Sequence, residues 1–399
     1  MLKVEMLSTG DEVLHGQIVD TNAAWLADFF FNQGVPLSRR NTVGDKLEDL
    51  VAVLLERSQQ ADILIVNGGL GPTSDDLSAE AAAQALGEEL VLHEEWLEHM
   101  ARFFSERGRV MAPSNRKQAM IPASSEMIDN PVGTACGFAI TLNRCRIFFT
   151  PGVPSEFKQM VQQEILPRLQ QQFTLPDAPV CLRLTTFGRS ESDLAQSLDG
   201  LTLPPDVVIG YRSSMPIIEL KLTGPGEQRA AMEALWPEIR KVAGESVIFE
   251  GTEGLPAQIA RCLNERQLSL TLSEQFTGGL LALQLSRECA PLLASEVVPA
   301  QQETLTQTAH WTAERRINHF AGLALAVSGL EEDHLNFALS TPEGTHALRV
   351  KFNTTRHTLQ VRQEVCVMMA LNILRRWLNG KDIVSDHGWI NVVESLFIE

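Results

Sequence analysis

Short apolar runs alternate with amphipathic stretches through the first part of the chain. Residues 2–8 and 37–43 read as strands, and residues 63–66 are an unbroken, largely β-branched run of the kind buried in parallel sheets. Between them, Asp20 or Thr21 is placed to cap a helix through Trp25, Leu26 and Phe29. Asp45 is placed to cap the next helix, whose Leu47, Leu50, Val51, Leu54 and Leu55 fall on one face. Strands alternating with helices of this length predict βαβ units, an α/β fold with a parallel sheet covered on both sides. A helix at 94–107, a glycine-rich turn at 131–138 into a strand, and another strand at 145–149 follow.

The stretch 61–80 carries the densest chemistry. Gly68, Gly69 and Gly71 follow the buried strand, and Thr73 or Ser74 is placed to cap a helix through Leu77. Strand, glycine loop and helix start together make an anion site of backbone N–H groups and dipole. Asp75 and Asp76 beside it suggest a magnesium-bridged phosphate ester or anhydride. The same loop also reads as a tight turn that needs glycine for positive φ. It is neither a dinucleotide fingerprint, since Ser74 stands where the third glycine would be, nor a Walker loop. Ligands gather at strand carboxyl ends in such sheets, and Thr9-Gly10-Asp11, Asp45 and residues 68–76 all fall there, which favours the site.

Residues 164–178 read as a helix end and a linker. Beyond them lies a small α+β unit: strands at 181–187, 206–211, 216–223 and 246–249, with helices at 191–198 and 227–243. From Leu255 a third region follows, with a helix at 256–265, a strand at 268–273 and a helix at 280–287. Strands at 322–328, 335–340 and 346–352 and a closing helix at 358–378 complete it.

The 399 residues suit two or three domains, and 44% hydrophobic content supports ordinary cores. A formal net charge of −17 makes any nucleic-acid surface a local exception. No apolar run of membrane-spanning length occurs, and the start lacks a leader pattern. The six cysteines are scattered without C-x-x-C spacing, as expected of reduced thiols in the cytoplasm. No zinc motif is present, and His310, His319, His334, His346 and His357 show no ligand spacing.

Five ordered motifs carry a resemblance. They are Ser8-Thr9-Gly10-Asp11-Glu12, Asp20-Thr21-Asn22, Gly68-Gly69-Leu70-Gly71-Pro72-Thr73 with Asp75-Asp76, Gly133-Thr134-Ala135 with Gly137-Phe138, and Pro151 to Glu156. Together they resemble the N-terminal domain of the CinA family (competence/damage-inducible proteins), itself similar to the molybdopterin-binding fold. The resemblance implies three domains. Residues 1–170 form a three-layer molybdopterin-binding-like domain, 178–252 a KH-like middle domain and 253–399 an α/β domain related to nicotinamide mononucleotide amidohydrolase. It implies hydrolysis of ADP-ribose to AMP and ribose 5-phosphate, within pyridine nucleotide metabolism, with a divalent metal (magnesium or cobalt) and potassium. Asp45 and Asp76 occupy the places of two functionally important aspartates. Asp76, with Asp45 or Asp75, is then expected to hold the metal and orient water. Ser8, Thr9, Gly10, Asp11, Gly68, Gly69, Gly71, Thr73, Asn115, Lys117, Gly133, Thr134, Pro151, Gly152, Ser155 and Glu156 are expected to surround a small-molecule nucleotide. Lys117 or Arg116 would neutralise transition-state charge, or stand as solvated surface. A homodimer is expected, with no membrane or nucleic-acid partner; the only nearby G-x-x-G, Gly251 to Gly254, carries an acid.

The third domain departs from its family. The family reads Ala-Glu-Ser-Cys-Thr-Gly-Gly with a nucleophilic serine; here the run is Ser273-Glu274-Gln275-Phe276-Thr277-Gly278-Gly279. Gln275 has no hydroxyl to activate. The family's downstream tyrosine and lysine are replaced within 298–303, and its glycine-rich loop has become Ser328-Gly329-Leu330-Glu331-Glu332-Asp333, whose acids would repel phosphate. A degenerate amidohydrolase site is expected, with Thr277, Gly278 and Gly279 kept for packing. Two alternatives stay open. One is a protein that binds or senses a nucleotide or pterin phosphate without turnover. The other is an active nicotinamide mononucleotide deamidase using Ser273.

Overall fold

A computed structural model describes residues 2–353, 357–385 and 387–399. The chain divides into two compact units, Met1–Pro179 and Val180–Glu399.

The first unit holds strands β1 (Val4–Thr9), β2 (Leu37–Val43), β3 (Ile63–Asn67), β4 (Leu90–Leu92), β5 (Met120–Pro122), β6 (Glu126–Ile128), β7 (Gly137–Leu142) and β8 (Cys145–Thr150). Six of them form one sheet in the order β2-β1-β3-β8-β7-β6, and β4 and β5 pair separately. Strands apolar on both faces need cover on both faces, and they get it. Ile63 and Ile65 join Met6 and Phe148 against Leu26 and Phe30 of the helix Thr21–Asn32 and Phe157 of the helix Pro154–Met160. Leu64 and Val66 join Leu7 and Phe149 on the other side, against Leu50 and Leu54 of the helix Leu47–Ser58 and Ala81 and Ala82 of the helix Ser78–Leu86. The result is the expected three-layer α/β unit.

The parallel reading needs one correction. β1, β2, β3 and β8 run parallel, but β7 runs antiparallel to both of its neighbours, β8 and β6. Leu142 pairs with Cys145, so only two residues join β7 to β8, and Asn143 takes φ 54° there. A connection that short cannot cross the sheet, so a hairpin is forced.

β1 lies between β2 and β3, so the chain reverses direction across the sheet at β1 and opens a crevice there. The register pairs Thr9 with Val43, Ser8 with Asn67, and Asn67 with Thr150. Four strand carboxyl ends therefore meet along one edge.

The second unit begins with an antiparallel sheet in the order β10-β11-β9-β12, from β9 (Val180–Phe187), β10 (Val208–Ser214), β11 (Ile217–Gly224) and β12 (Val247–Glu250). Leu194 and Leu198 of the helix Glu191–Leu198, and Met232 and Ile239 of the helix Arg229–Ala243, pack on its Leu184, Leu220 and Leu222. Then come β13 (Leu270–Glu274), β14 (Leu292–Val297), β15 (Leu323–Val327), β16 (His334–Thr341), β17 (Gly344–Phe352) and β18 (Ile390–Ile398), in the order β14-β13-β15-β16-β17-β18. The helix Leu359–Leu378 closes the core through Val365, Met369, Leu371 and Leu374. Among the described residues, no helix is long and apolar enough to cross a membrane.

Candidate functional site

A cleft of about 520 Å³ opens at the carboxyl edge of the first sheet. Ser8, Thr9, Gly10, Asp45, Gly68, Gly69, Gly71, Asp75, Asp76, Thr134, Pro151, Gly152 and Glu156 line it, as anticipated from sequence. Asp11, Thr73, Asn115, Lys117, Gly133 and Ser155 stand off its walls.

The floor is a chain of polar side chains. Asn22 Nδ2 donates to Asn67 Oδ1 (3.0 Å) and to the Gly152 carbonyl (2.8 Å). Asn67 Nδ2 in turn donates to the Pro151 carbonyl (2.7 Å) and Thr150 Oγ1 (3.3 Å). These contacts lock the strand ends into one rigid edge. Asp20 caps the helix Thr21–Asn32 as expected, accepting the Ala23 N–H at 2.8 Å, and its other oxygen takes the Ser8 hydroxyl at 2.6 Å.

Two caps expected from sequence are not formed. The helix after the glycine loop starts at Ser78, with Leu77 before it and no side-chain cap, so neither Thr73 nor Ser74 caps it. Asp76 explains the delay. Its carboxylate accepts the Thr73 N–H at 2.9 Å and also the Thr73 hydroxyl, closing a local turn that competes with helix. Likewise Asp45 does not cap the helix Leu47–Ser58, which begins after Lys46. Asp45 and Asp11 instead clasp reciprocally: Asp11 N–H to Asp45 Oδ2 at 2.9 Å, and Asp45 N–H to Asp11 Oδ1 at 3.2 Å.

The glycine loop itself stands apart from the helix start. Gly68 and Gly69 take φ of 111° and 69°, which a side chain would strain. Gly68 N–H bonds the Thr150 carbonyl, and Ser78 Oγ returns to the Gly68 carbonyl at 2.8 Å. The next three residues, Gly69, Leu70 and Gly71, line the cleft, and their N–H groups have no acceptor among the described residues.

Lys117 is a positioning residue here. Its ammonium donates to the carbonyls of Thr73 (2.8 Å) and Asp76 (2.6 Å) and pairs with Glu80, tying down the loop instead of facing the cleft. Asn115 reaches the site only through Gln118, to whose Oε1 it donates at 2.9 Å. Gln118 itself lines the cleft, also bonding Thr134 and the Leu70 carbonyl. Gln118, Asn22 and Asn67 escaped the sequence reading. Asn22 stands within a quoted motif, but nothing local marks the other two. Buried Asn130 donates to Glu156 at 2.7 Å and sets that carboxylate at the wall.

Burial raises Asp45 above the usual carboxylate range, the Asp11 N–H opposes this, and the charges of Asp11, Glu12 and Asp75 add to the rise. A raised carboxyl favours the fold while protonated, and that contribution is lost as pH rises through its folded pKa. Asp45→Asn keeps an acceptor for Asp11 and removes one crowded charge. Differential scanning calorimetry of the metal-free chain is expected to show a small rise in melting temperature at about pH 8 that vanishes by about pH 4.

In the second unit, the run Ser273 to Gly279 is largely paired within the chain, although the buried Thr277 hydroxyl has no partner among the described residues. Gln275, 8% exposed, donates its amide to Glu303 Oε1 at 2.7 Å. Its carbonyl oxygen accepts the N–H groups of Gln301 and Gly329, each at 2.9 Å. Ser273 is buried and donates to Glu296 Oε1 at 2.7 Å, an oxygen also held by Arg315 at 2.9 Å. Gly278 and Gly279 take φ of 61° and 93°, turning the chain so that Glu274 accepts the N–H groups of Gly279, Leu281 and Ala282 at the next helix start. Two of the acids at 331–333 pair with their own hairpin: Glu331 with Arg349 (3.6 Å) and Asp333 with Lys351 (3.6 Å).

Residues 5–171 match the family described as "Probable molybdopterin binding domain". Over 396 residues the chain is 78% identical to a CinA-like protein of Escherichia coli (strain K12 / DH10B), with 99% of each chain covered. An Escherichia coli (strain K12) protein called NMN amidohydrolase-like protein YfaY matches with the same 78% identity and 99% coverage of each chain. Among solved structures, the protein CinA with unknown function from Thermoplasma acidophilum is 29% identical, with 42% of this chain and 96% of that one covered and a TM-score of 0.38.

Proposed function

We propose, on the premise that this chain belongs to the CinA-like family, that its first unit hydrolyses a pyrophosphate-linked nucleotide such as ADP-ribose. The observation that carries the reading is the run of three unpartnered N–H groups at Gly69, Leu70 and Gly71 beside Asp45, Asp75 and Asp76 in one cleft. Amides without acceptors suit phosphate oxygens. A cleft of about 520 Å³ falls in the range that encloses a nucleotide-sized ligand.

The donor set is all carboxylate, the chemistry magnesium or cobalt takes from oxygen. Crowding of Asp45 by Asp11, Glu12 and Asp75 is relieved by a cation there. Among the described residues no three Asp, Glu, His or Cys groups converge as a metal cage, so substrate phosphates and water would complete the shell. When bound, such a cation neutralises diphosphate charge and acidifies water. The loop amides hold one phosphate. Asp76, fixed by Thr73, orients water toward phosphorus. The water oxygen forms a new P–O bond as one bridging P–O bond breaks; one water proton goes to the leaving phosphate and the other stays on the new P–OH, giving AMP and ribose 5-phosphate.

The missing cage also supports a second reading, in which the cleft binds a nucleotide or pterin phosphate without turnover. For the second unit, we propose that deamidase activity is lost. Gln275 is spent on Glu303, Gln301 and Gly329, and Ser273 on Glu296. The test is an assay of the purified full chain with ADP-ribose and with nicotinamide mononucleotide, each with magnesium, cobalt or chelator. AMP release that needs metal, with no ammonia from the mononucleotide, is the expected result. Metal-dependent binding without AMP favours the second reading. Ammonia release that Ser273→Ala abolishes overturns the loss of deamidase.

A further inference from the structure

The second unit carries an open cleft of about 880 Å³ lined by the helix Arg229–Ala243, β12 and the end of the helix Leu359–Leu378. Arg240, Lys241, Arg375 and Lys381 line it, against two carboxylates, Glu245 and Glu250. A positive excess on a chain of net charge −17 calls for a reason.

Both carboxylates are already engaged. Glu250 takes Arg240 at 2.9 Å, and Glu245 takes Lys381 at 2.9 Å and Arg376 at 3.1 Å. Arg375 and Lys241 are left over, with no carboxylate in ion-pair range among the described residues. Lys241 is exposed. Arg375 is half-buried, and its Nε and Nη2 share one neutral acceptor, Asn372 Oδ1, at 3.0 and 2.8 Å. Its Nη1 has no acceptor among the described residues. Burial and the neighbouring Arg376 charge hold this guanidinium below its ordinary range, while Glu245 opposes them weakly. A desolvated cation without a counter-charge is costly, and an anion would relieve it.

Trp236 also lines the cleft, half-buried, with its indole N–H donated to Glu250 Oε2 at 3.0 Å. That bond fixes the ring beside the cations. A planar ligand ring can lie on it while its phosphate meets the guanidinium.

We propose that this cleft binds a ligand of the nucleotide class, with the phosphate on Arg375, flanked by Lys241, and the base on Trp236. The site is independent of the first-unit reading. The test is calorimetric titration of the full chain with ADP and with inorganic pyrophosphate, for the wild type, Arg375→Gln, Lys241→Glu and Trp236→Leu. The two charge variants lie outside the first unit, so nucleotide bound there is common to every isotherm. Each charge variant is expected to weaken one class of ADP site about tenfold or more. Trp236→Leu is expected to weaken ADP and leave pyrophosphate unchanged. Exposed, unpaired Lys241 can be reversed in charge without disturbing packing, so that variant decides the matter if Arg375→Gln does not fold. Superposable ADP isotherms for wild type and Lys241→Glu overturn the site. A Trp236→Leu isotherm for ADP identical to wild type overturns the ring contact.

Discussion

Glu274→Ala is expected to be the most destabilising single substitution considered for the second unit, by about 3–5 kcal/mol. The carboxylate is 0% exposed and accepts three N–H groups, at 3.1, 3.1 and 2.8 Å, from the start of the helix Leu280–Arg287. Alanine leaves those donors buried and unpaired, and also forfeits the favourable placement of an anion at a helix N-terminus. A calorimetric scan should show the transition of this unit falling by roughly 10 °C. Glu274→Gln retains one acceptor and should fall by less than half as much. Equal transitions for wild type and Glu274→Ala would show that the contacts carry little energy. The same geometry bears on function. In this unit the helix start is already occupied by the chain's own carboxylate, and the amides of Gln301 and Gly329 by the Gln275 carbonyl. Neither is open to a ligand anion.

Asp76→Ala is expected to lower ADP-ribose turnover by about 10²-fold or more. The side chain has two duties, bracing the turn through Thr73 and presenting charge to the cleft. Asp76→Asn separates them, because an amide oxygen still accepts from Thr73 while the charge is gone. Turnover lost in both variants, with both melting near wild type, indicates the charge. Turnover kept by the asparagine variant would reduce Asp76 to a brace, with Lys117 as its partner in holding the loop.

Most of the architecture was legible because it rests on short-range regularities. The β-branched run at 63–66 became β3, the amphipathic face of Leu47 to Leu55 became a helix on the sheet, and Asp20 became a cap. What was missed falls into three kinds. β14, β18 and the helix Leu305–Asn318 carry weak apolar patterns; the two strands are largely half-exposed, and the helix is polar enough to resemble a loop. At the candidate site, the misses come from contacts distant in sequence. Asn22 reaches Gly152 and Asn67 reaches Pro151 only once the sheet has aligned its strand ends. The displaced caps are a third case. Asp45 is engaged by the Asp11 N–H, and Thr73 by the Asp76 carboxylate, rather than by the helix starts. Asp45, Asp75, Asp76 and Glu156 do line the cleft and Asp11 does not, by a different local geometry from the one their spacing suggested.

Whether residues 68–76 perform chemistry is read most directly from the phosphorus NMR spectrum of ADP-ribose incubated with magnesium and the full chain, beside the Asp76→Ala chain. The expected result is that the diphosphate resonances are replaced by two monoester resonances, of AMP and ribose 5-phosphate, with the wild type alone. Diphosphate that persists with the wild type, or disappears equally with both, would contradict a catalytic role for this loop.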